Sequence, residues 1–145
     1  MTNSNTAPIH QYQFKFINFE KAYLLLIQRL EILKQNPEDQ MVQTAVIQTF
    51  EFTFELAWKL LKSYMEYKGL VVDNFARDII KSAYQNQLIT DGKVWLNALE
   101  DRNKTSHTYN DNFARQMATR VIHNYQPAFE QIYRTIQSDY DQIQN

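Results

Sequence analysis

Residues 36–69 read NPEDQMVQTAVIQTFEFTFELAWKLLKSYMEYKG, and this stretch predicts one long helix with a signal at each end. Asn36 can cap a helix, and Pro37 suits the first helical position because the N–H that proline lacks has no helical partner there. No further glycine or proline follows until Gly69, a residue type that commonly ends helices. We therefore expect a helix from Pro37 to Lys68, which would be roughly 45–50 Å long.

The apolar residues of this helix recur three or four positions apart, which is typical of a helix with one buried face. The main stripe comprises Val42, Val46, Phe50, Phe54, Ala57, Leu61 and Tyr64. Phe52, Trp58 and Met65 lie off that stripe. Because the core of one chain need not cover all of these side chains, the pattern favours a contact with a second subunit.

The rest of the chain also predicts helices, because two glycines and three prolines in 145 residues leave few breaks. We expect helices from Asn18 to Gln35, over residues 74–87, after a cap at residues 90–92, and after a cap at residues 110–112. Pro127 should kink or split the last of these, because an interior proline removes a helical hydrogen bond. The predicted fold is all-α, a bundle of four to five helices.

The predicted helices also define a domain organisation. Residues 1–14 are expected to form a flexible leader, residues 15–138 a single domain, and residues 139–145 a frayed tail. A chain of 145 residues is long enough for one domain with a single hydrophobic core.

Composition and charge exclude several classes of protein. The net charge is −1 and the isoelectric point is near 6.3, which is not the profile of a general polyanion binder. The absence of cysteine excludes disulfides and thiolate metal sites. The longest apolar run, residues 22–27, is far short of the about 20 residues that span a bilayer, and the polar N-terminus does not resemble a signal peptide. We therefore expect a cytoplasmic protein that does not enter a membrane.

Residues 99–109, LEDRNKTSHTY, form a segment dense in polar and ionisable side chains. Arg102 supplies a permanent cation with forked donors that suit a phosphate group. His107 can donate or accept a proton near neutral pH, and Tyr109 adds a hydroxyl group. These residue types together favour phosphodiester chemistry without a metal. The sequence has no glycine-rich phosphate loop and no His-Glu-x-x-His zinc motif, so we expect neither a metal nor a cofactor.

The spacing within this segment leaves two interpretations open. On one unbroken helix, Arg102 and His107 would point about 140° apart, so a shared site requires either a break in the helix or a second copy of the chain. A purely structural interpretation pairs Arg102 with Glu100 or Asp101, puts His107 at a helix end and puts Tyr109 at the edge of the core. Spacing alone favours the structural interpretation.

Two further polar residues receive a structural interpretation. Arg120 is expected to be a charge on a helix surface, either in a basic rim around residues 99–109 or, as is more common, serving solubility. His123 lies between the apolar Val121 and Tyr125 and is expected at the edge of the core.

Two blocks of the sequence resemble the HEPN superfamily, and within it the HepT-like or nucleotidyltransferase substrate-binding proteins. The first block is FEFTFELAWK at residues 50–59, which has the pattern Phe-Glu-x-x-Phe-Glu-x-x-Trp-Lys. The second combines DGKVWL at residues 91–96 with the segment at residues 99–109. The resemblance extends from about Phe16 to Ile136 and implies an antiparallel helical bundle that forms a homodimer.

The resemblance also implies a function and roles for named residues. Many HEPN proteins are metal-independent ribonucleases whose signature of Arg, a polar residue and His is matched by Arg102, Asn103 and His107. In the family, the Arg and His of two protomers line one cleft at the dimer interface. HepT-like members are toxins encoded beside a minimal nucleotidyltransferase, which neutralises them by transferring AMP to a tyrosine that corresponds to Tyr109. RNA would be the substrate and the nucleotidyltransferase the partner.

Three functions therefore remain open on the sequence. The first is an RNA-cleaving toxin subunit that depends on Arg102 and His107. The second is a non-catalytic subunit that binds a substrate or nucleotide for a separate nucleotidyltransferase, and the near-neutral charge suits this role. The third is a structural module that only dimerises.

Overall fold

Six α-helices and one π-helical turn make up the computed structural model, which describes residues 10–105 and 110–144, with side chains up to residue 142. The helices are α1 Gln11–Gln35, α2 Gln40–Tyr67, α3 Ala76–Gln85, α4 Gly92–Thr105, α5 Asp111–Arg120 and α6 Gln126–Gln144, with the π-helical turn at Val121–Tyr125. No strand occurs in these two ranges, which confirms the all-α prediction. None of the helices described is long and apolar enough to cross a membrane.

Helix α1 begins at Gln11, seven residues before the expected start at Asn18. The His10 N–H donates to Gln13 Oε1 at 2.6 Å, which caps the first turn. Tyr12 is fully buried, with its ring centroid 5.3 Å from that of Tyr64 on α2. Residues 11–14 therefore belong to the packed helix rather than to a leader. The mixed polar and aromatic sequence before Asn18 concealed this extension.

The connection between α1 and α2 differs from the prediction in its cap. Asp39 is the N-cap of α2, and its carboxylate accepts hydrogen bonds from the backbone N–H groups of Met41 and Val42. Asn36 instead caps the C-terminus of α1, and its side chain donates to the Ile32 carbonyl oxygen at 3.0 Å. Residues 36–39 thus end one helix and start the next, and this short connection makes α1 and α2 an antiparallel hairpin.

Helix α2 ends where the sequence predicted. Its last residue is Tyr67, Lys68 is the C-cap, and Gly69 adopts a φ of +86°, a conformation that glycine tolerates without steric cost. The Leu70 N–H donates to the Met65 carbonyl oxygen at 3.0 Å, which satisfies one of the terminal acceptors of the helix.

The core lies between α2 and the helices around it and is rich in aromatic rings. Phe50 on α2 packs 5.2 Å from Tyr125 and 6.1 Å from Phe129, measured between ring centroids. Trp95 on α4 packs 6.1 Å from Phe54 and 5.6 Å from Phe129. All five side chains are at most 1% exposed. Helix α4, which carries Arg102, is therefore fixed against α2 and α6 through its tryptophan.

A π-helical turn precedes Pro127, where the sequence predicted a kink or a split. The Gln126 N–H donates to the Val121 carbonyl oxygen five residues back, which is the π-helical spacing. Because proline has no N–H to continue the ladder, the wider turn lets the chain pass into α6 without a steric clash. The prediction of a split at this position is confirmed.

Helix α6 continues beyond the predicted end of the domain at Ser138, to Gln144. The ring of Tyr140 packs 4.9 Å from Phe16 on α1, and Asp139 forms an ion pair with Lys68 on α2 at 2.9 Å. Residues 139 and 140 therefore belong to the packed bundle rather than to a frayed tail.

Candidate functional site

Arg102 on α4 forms a salt bridge with Glu55 on α2, and this contact joins the two sequence blocks. The Arg102 Nε lies 3.2 Å from Glu55 Oε1, and both side chains are about one-third exposed. The Trp58 indole N–H donates to the other carboxylate oxygen, Glu55 Oε2, at 3.2 Å. Arg102 therefore forms an ion pair with Glu55, a partner that the structural interpretation did not name.

This contact is an ion pair that keeps the Arg102 guanidinium group close to α2. A carboxylate that already accepts a hydrogen bond from Trp58 has little freedom to move, and its charge attracts the arginine across the gap between α2 and α4. The sequence analysis did not assign Glu55 a role. The signal was present, because Glu55 and Trp58 lie three positions apart on one helix and can hydrogen-bond there.

Asp101, the neighbour of Arg102, is buried and anchors α4 to the segment after it. Arg120 donates from Nε to Asp101 Oδ2 at 2.7 Å and from Nη2 to Asp101 Oδ1 at 3.1 Å, in a forked pair. The hydroxyl group of Tyr125, in the π-helical turn, also donates to Asp101 Oδ2. Asp101 is only 7% exposed. The interpretation of Arg120 as a solubilising surface charge is therefore wrong.

The pKa values of two of these partners reflect the anchor. Burial and the hydrogen bond to Asp101 raise the pKa of the Tyr125 hydroxyl well above its ordinary value, so the tyrosine stays a donor at neutral pH. Burial works against the charge of Arg120, but the hydrogen bond and negative charge of Asp101 outweigh it and raise the pKa of the guanidinium. Arg120 therefore remains charged across the physiological range.

The predicted site residues divide between described and undescribed parts of the chain. Arg102 is half-buried and Asn103 is exposed on the last turns of α4. His107 and Tyr109 lie outside the described residues. Asn110 has an extended backbone and is the N-cap of α5, where its side chain accepts from the Phe113 N–H at 2.9 Å. The helix that carries Arg102 therefore does not run on unbroken into α5. A break in the helix was one of the two arrangements that the spacing argument left open.

A groove of about 390 Å³ lies between α4 and α5 beside this segment, and we call it the α4–α5 groove. The Asp101–Arg120 pair and Tyr125 form part of its wall, and the amide side chains of Asn97, Gln116 and Asn124 also line it. A second cavity, of about 470 Å³, lies between α3 and α4 and includes the exposed ring of Tyr84.

Two further observations concern metals and histidine. Within residues 10–105 and 110–142, no three His, Cys, Asp or Glu side chains are grouped so that they could hold a metal ion. His123, expected at the edge of the core, is exposed and lines a third cavity of about 310 Å³ with Asn124 and Gln131.

Comparison with known proteins places these observations in a family. The family described as "Nucleotidyltransferase substrate binding protein like" matches residues 14–138 of the chain. A curated relative, "Probable ribonuclease HepT" of Haemophilus influenzae strain Rd, is 31% identical over 88 residues, which are 58% of this chain and 60% of that protein. The match thus spans less than two thirds of the relative. A solved crystal structure from Thermus thermophilus is 33% identical, covers 79% of this chain and 94% of that one, and has a TM-score of 0.68.

Proposed function

The chain belongs to the nucleotidyltransferase substrate-binding family, as its two sequence blocks predicted, and from this premise we propose that it is a cytoplasmic toxin subunit that cleaves RNA without a metal. Arg102, Asn103 and His107 would be its catalytic residues. The observation that carries the proposal is the salt bridge between Arg102 and Glu55, because it joins the signature arginine on α4 to the other sequence block on α2. The relative named as a probable ribonuclease supports the same activity.

The proposed chemistry is an attack of the ribose 2′-hydroxyl on the neighbouring phosphorus. His107 takes the 2′-hydroxyl proton as general base, or protonates the leaving 5′-oxygen as general acid, an effect worth about 10²–10⁴ in rate. The 2′-oxygen–phosphorus bond forms as the bond from phosphorus to the 5′-oxygen breaks. Arg102 stabilises the charge on the phosphorane oxygens, which is worth about 3–4 kcal/mol by analogy with an oxyanion donor. Asn103 orients one of these groups.

Substitution of the signature residues tests this activity. The Arg102→Ala and His107→Ala variants should each cleave a labelled RNA at least about 100-fold more slowly than the wild type. His123→Ala is the matched control, because it removes another histidine that is exposed and lies outside the proposed site. Equal cleavage by the wild type and both signature variants, with the fold intact, would remove the basis of the proposal.

A homodimer would complete the site, with the arginine and histidine of two protomers in one cleft. Phe52 supports this assembly, because it is 41% exposed on α2 and lies one turn before Glu55, next to the proposed site. The Phe52→Glu variant should run as a monomer of 17.3 kDa in sedimentation equilibrium and lose cleavage, whereas the wild type should have twice that mass. Phe75→Glu is the control, since it alters another exposed phenylalanine, which caps the start of α3. A wild type that sediments as a monomer would contradict the assembly.

Regulation by a partner is the second part of the proposal. A minimal nucleotidyltransferase encoded nearby would transfer AMP from ATP to the hydroxyl of Tyr109, with release of pyrophosphate. The bulky anion would obstruct RNA entry. It would also add negative charge to a residue that closely follows Arg102 in the sequence. Incubation with the neighbouring nucleotidyltransferase and labelled ATP should label the wild type, abolish its cleavage and leave Tyr109→Phe unlabelled. Equal labelling of Tyr109→Phe would show that the tyrosine is not the acceptor.

A non-catalytic subunit that binds a nucleotide is the alternative, and the cavity between α3 and α4 favours it. The Tyr84 ring packs on Gly92, where an added Cβ would lie only 3.1 Å from the ring, and Lys81 and Lys93 also line the cavity. An aromatic face with nearby ammonium groups suits a nucleotide. This alternative predicts that the wild type binds ATP, that Tyr84→Ala does not, and that neither cleaves RNA.

A further inference from the structure

We propose that the α4–α5 groove binds a nucleobase of the RNA, next to the phosphodiester that is cleaved. This inference rests on the proposed ribonuclease function and adds a subsite to it. The groove opens along α4 as far as Lys104 and along α5 from Phe113, and the four residues that contain His107 and Tyr109 lie between those two helices in the chain. A nucleotide in the groove would therefore lie between the two helices that the catalytic segment connects in the chain.

The charge of the groove favours a base over a phosphate group. Its charged side chains are two acids, Glu100 and Asp101, and two bases, Lys104 and Arg120, so their formal charges cancel. Arg120 is already engaged by Asp101 through two hydrogen bonds. A dianionic phosphate would gain little from such a lining. A neutral, planar base avoids this difficulty.

The side chains of the groove offer the contacts that recognise bases. Asn97, Gln116 and Asn124 are exposed amides, and each presents both donors and an acceptor, the combination that hydrogen-bonds to base edges. None of the three hydrogen-bonds to another described side chain or backbone group in the ranges 10–105 and 110–142. Phe113 is half-buried in the wall and can stack on a base, as in proteins that read unpaired RNA. The volume of about 390 Å³ is within the range of small-molecule sites.

The groove is also rigid, which base selection requires. The Asp101–Arg120 pair and the Tyr125 hydroxyl join its two sides, and Tyr125 is only 1% exposed. The π-helical turn that contains Asn124 directs this amide towards the groove instead of continuing the α-helical register of α5. A fixed arrangement of donors and acceptors favours some bases over others.

The test compares a double variant, Gln116→Ala with Asn124→Ala, against the wild type on RNAs that vary in the base beside the cut. The variant should raise KM about tenfold with kcat unchanged and should flatten the preference among the four bases. Gln85→Ala is the control, because it removes an amide from the cavity between α3 and α4. Unchanged KM and base preference in the double variant would overturn the subsite and leave the ribonuclease proposal standing.

A binding experiment separates the subsite from the ribonuclease activity. If the wild type cleaves no RNA, the proposed function fails, and titration with the four nucleoside monophosphates still tests the groove by amide chemical shifts. Binding that the double variant loses and Gln85→Ala retains supports a nucleotide subsite. No binding by the wild type, or equal binding by the double variant, overturns it. Loss of nucleotidyltransferase binding in the double variant, with RNA and nucleotide binding unchanged, would identify a protein-docking surface and also overturn it.

Discussion

Arg102 was the residue that the sequence marked for function, and the structure adds an ion-pair partner for its charge. The local sequence offered Glu100 and Asp101 as partners, but the observed partner, Glu55, is 47 positions away on another helix. Spacing along one helix could not predict a contact that depends on how α2 and α4 pack. For the same reason Arg120 was misread, because its partner Asp101 is 19 positions away.

The contact between Glu55 and Arg102 leads to the first prediction. Glu55→Gln keeps an oxygen that can accept from Trp58 but removes the charge that attracts Arg102. We expect RNA cleavage to fall about tenfold or more, because a less constrained guanidinium is less often in position. The free energy of unfolding should change by less than about 1 kcal/mol, as for other partly exposed ion pairs. Single-turnover cleavage and urea unfolding provide the two measurements.

Glu51→Gln is the matched control for this prediction. It changes the other glutamate of the same block, which is half-buried one turn earlier on α2. Cleavage by Glu51→Gln should match the wild type. If both variants lose cleavage equally, the effect belongs to the charge of α2 in general and not to the Arg102 contact.

Asp101 provides the second prediction. Asp101→Ala leaves the Arg120 charge and the Tyr125 hydroxyl without their shared acceptor, and it should lower the free energy of unfolding by about 2–3 kcal/mol. This loss is at or below the lower limit of the about 3–5 kcal/mol expected for a broken buried pair, because Arg120 is one-third exposed. Glu100→Ala, at the exposed neighbouring position, should change the free energy of unfolding by at most about 0.5 kcal/mol. Equal losses in urea unfolding would contradict the anchor.

At the scale of the helices, the sequence predicted which segments are helical better than where they start. The stop at Gly69, the cap at Asn110 and the split at Pro127 followed from local backbone chemistry and are confirmed. The N-cap of α2 was wrong, because Asn36 and Asp39 are both good capping residues and only packing selects between them. The early start of α1 depends on Tyr12 packing against α2, which periodicity does not reveal.

The corrected cap leads to the third prediction. Asp39→Ala removes the acceptor for the Met41 and Val42 N–H groups and should destabilise the protein by about 1 kcal/mol. Asn36→Ala should cost less, because its exposed side chain makes one hydrogen bond, to the Ile32 carbonyl oxygen. Thermal unfolding of the two variants gives the order. A larger loss of stability from Asn36→Ala than from Asp39→Ala would contradict Asp39 as the N-cap and support Asn36, the cap predicted from the sequence.

At the scale of the whole molecule, the all-α class and the family could be predicted, whereas the ends of the bundle could not. The start of α1, the end of α2 and the end of α6 meet in a polar and aromatic cluster. Tyr64 donates to Asp139, Lys68 forms an ion pair with the same carboxylate, and Tyr12 packs on Tyr64. Burial, more than the nearby tyrosines, raises the pKa of Tyr12 to about 12. These contacts close this end of the bundle. The sequence assigned residues 12 and 139 to a leader and a tail, so this closure was not predicted.

Asp139 makes the closure dependent on pH, which is the fourth prediction. The hydrogen bond from Tyr64 and then that from Lys68 lower the pKa of its carboxyl group below the ordinary 3.8. A carboxylate whose pKa is lowered by folding stabilises the protein above the pKa of the unfolded chain and loses that effect as pH falls through the folded value. Wild type should therefore exceed Asp139→Asn in stability by about 1 kcal/mol at pH 6, and the difference should shrink below about pH 4. A difference that stays constant in urea unfolding from pH 6 to pH 3 would contradict this assignment.

The central claim is that the signature residues Arg102 and His107 cleave RNA, and the chemical nature of the cut ends tests it most directly. Attack by the 2′-hydroxyl leaves a 2′,3′-cyclic phosphate on one fragment and a 5′-hydroxyl on the other. We predict these ends when wild-type protein cuts a labelled RNA in the presence of a metal chelator, with the same result for His123→Ala and none for His107→Ala. Intact RNA with the wild type, or the same cyclic phosphate yield from His107→Ala, would contradict the claim.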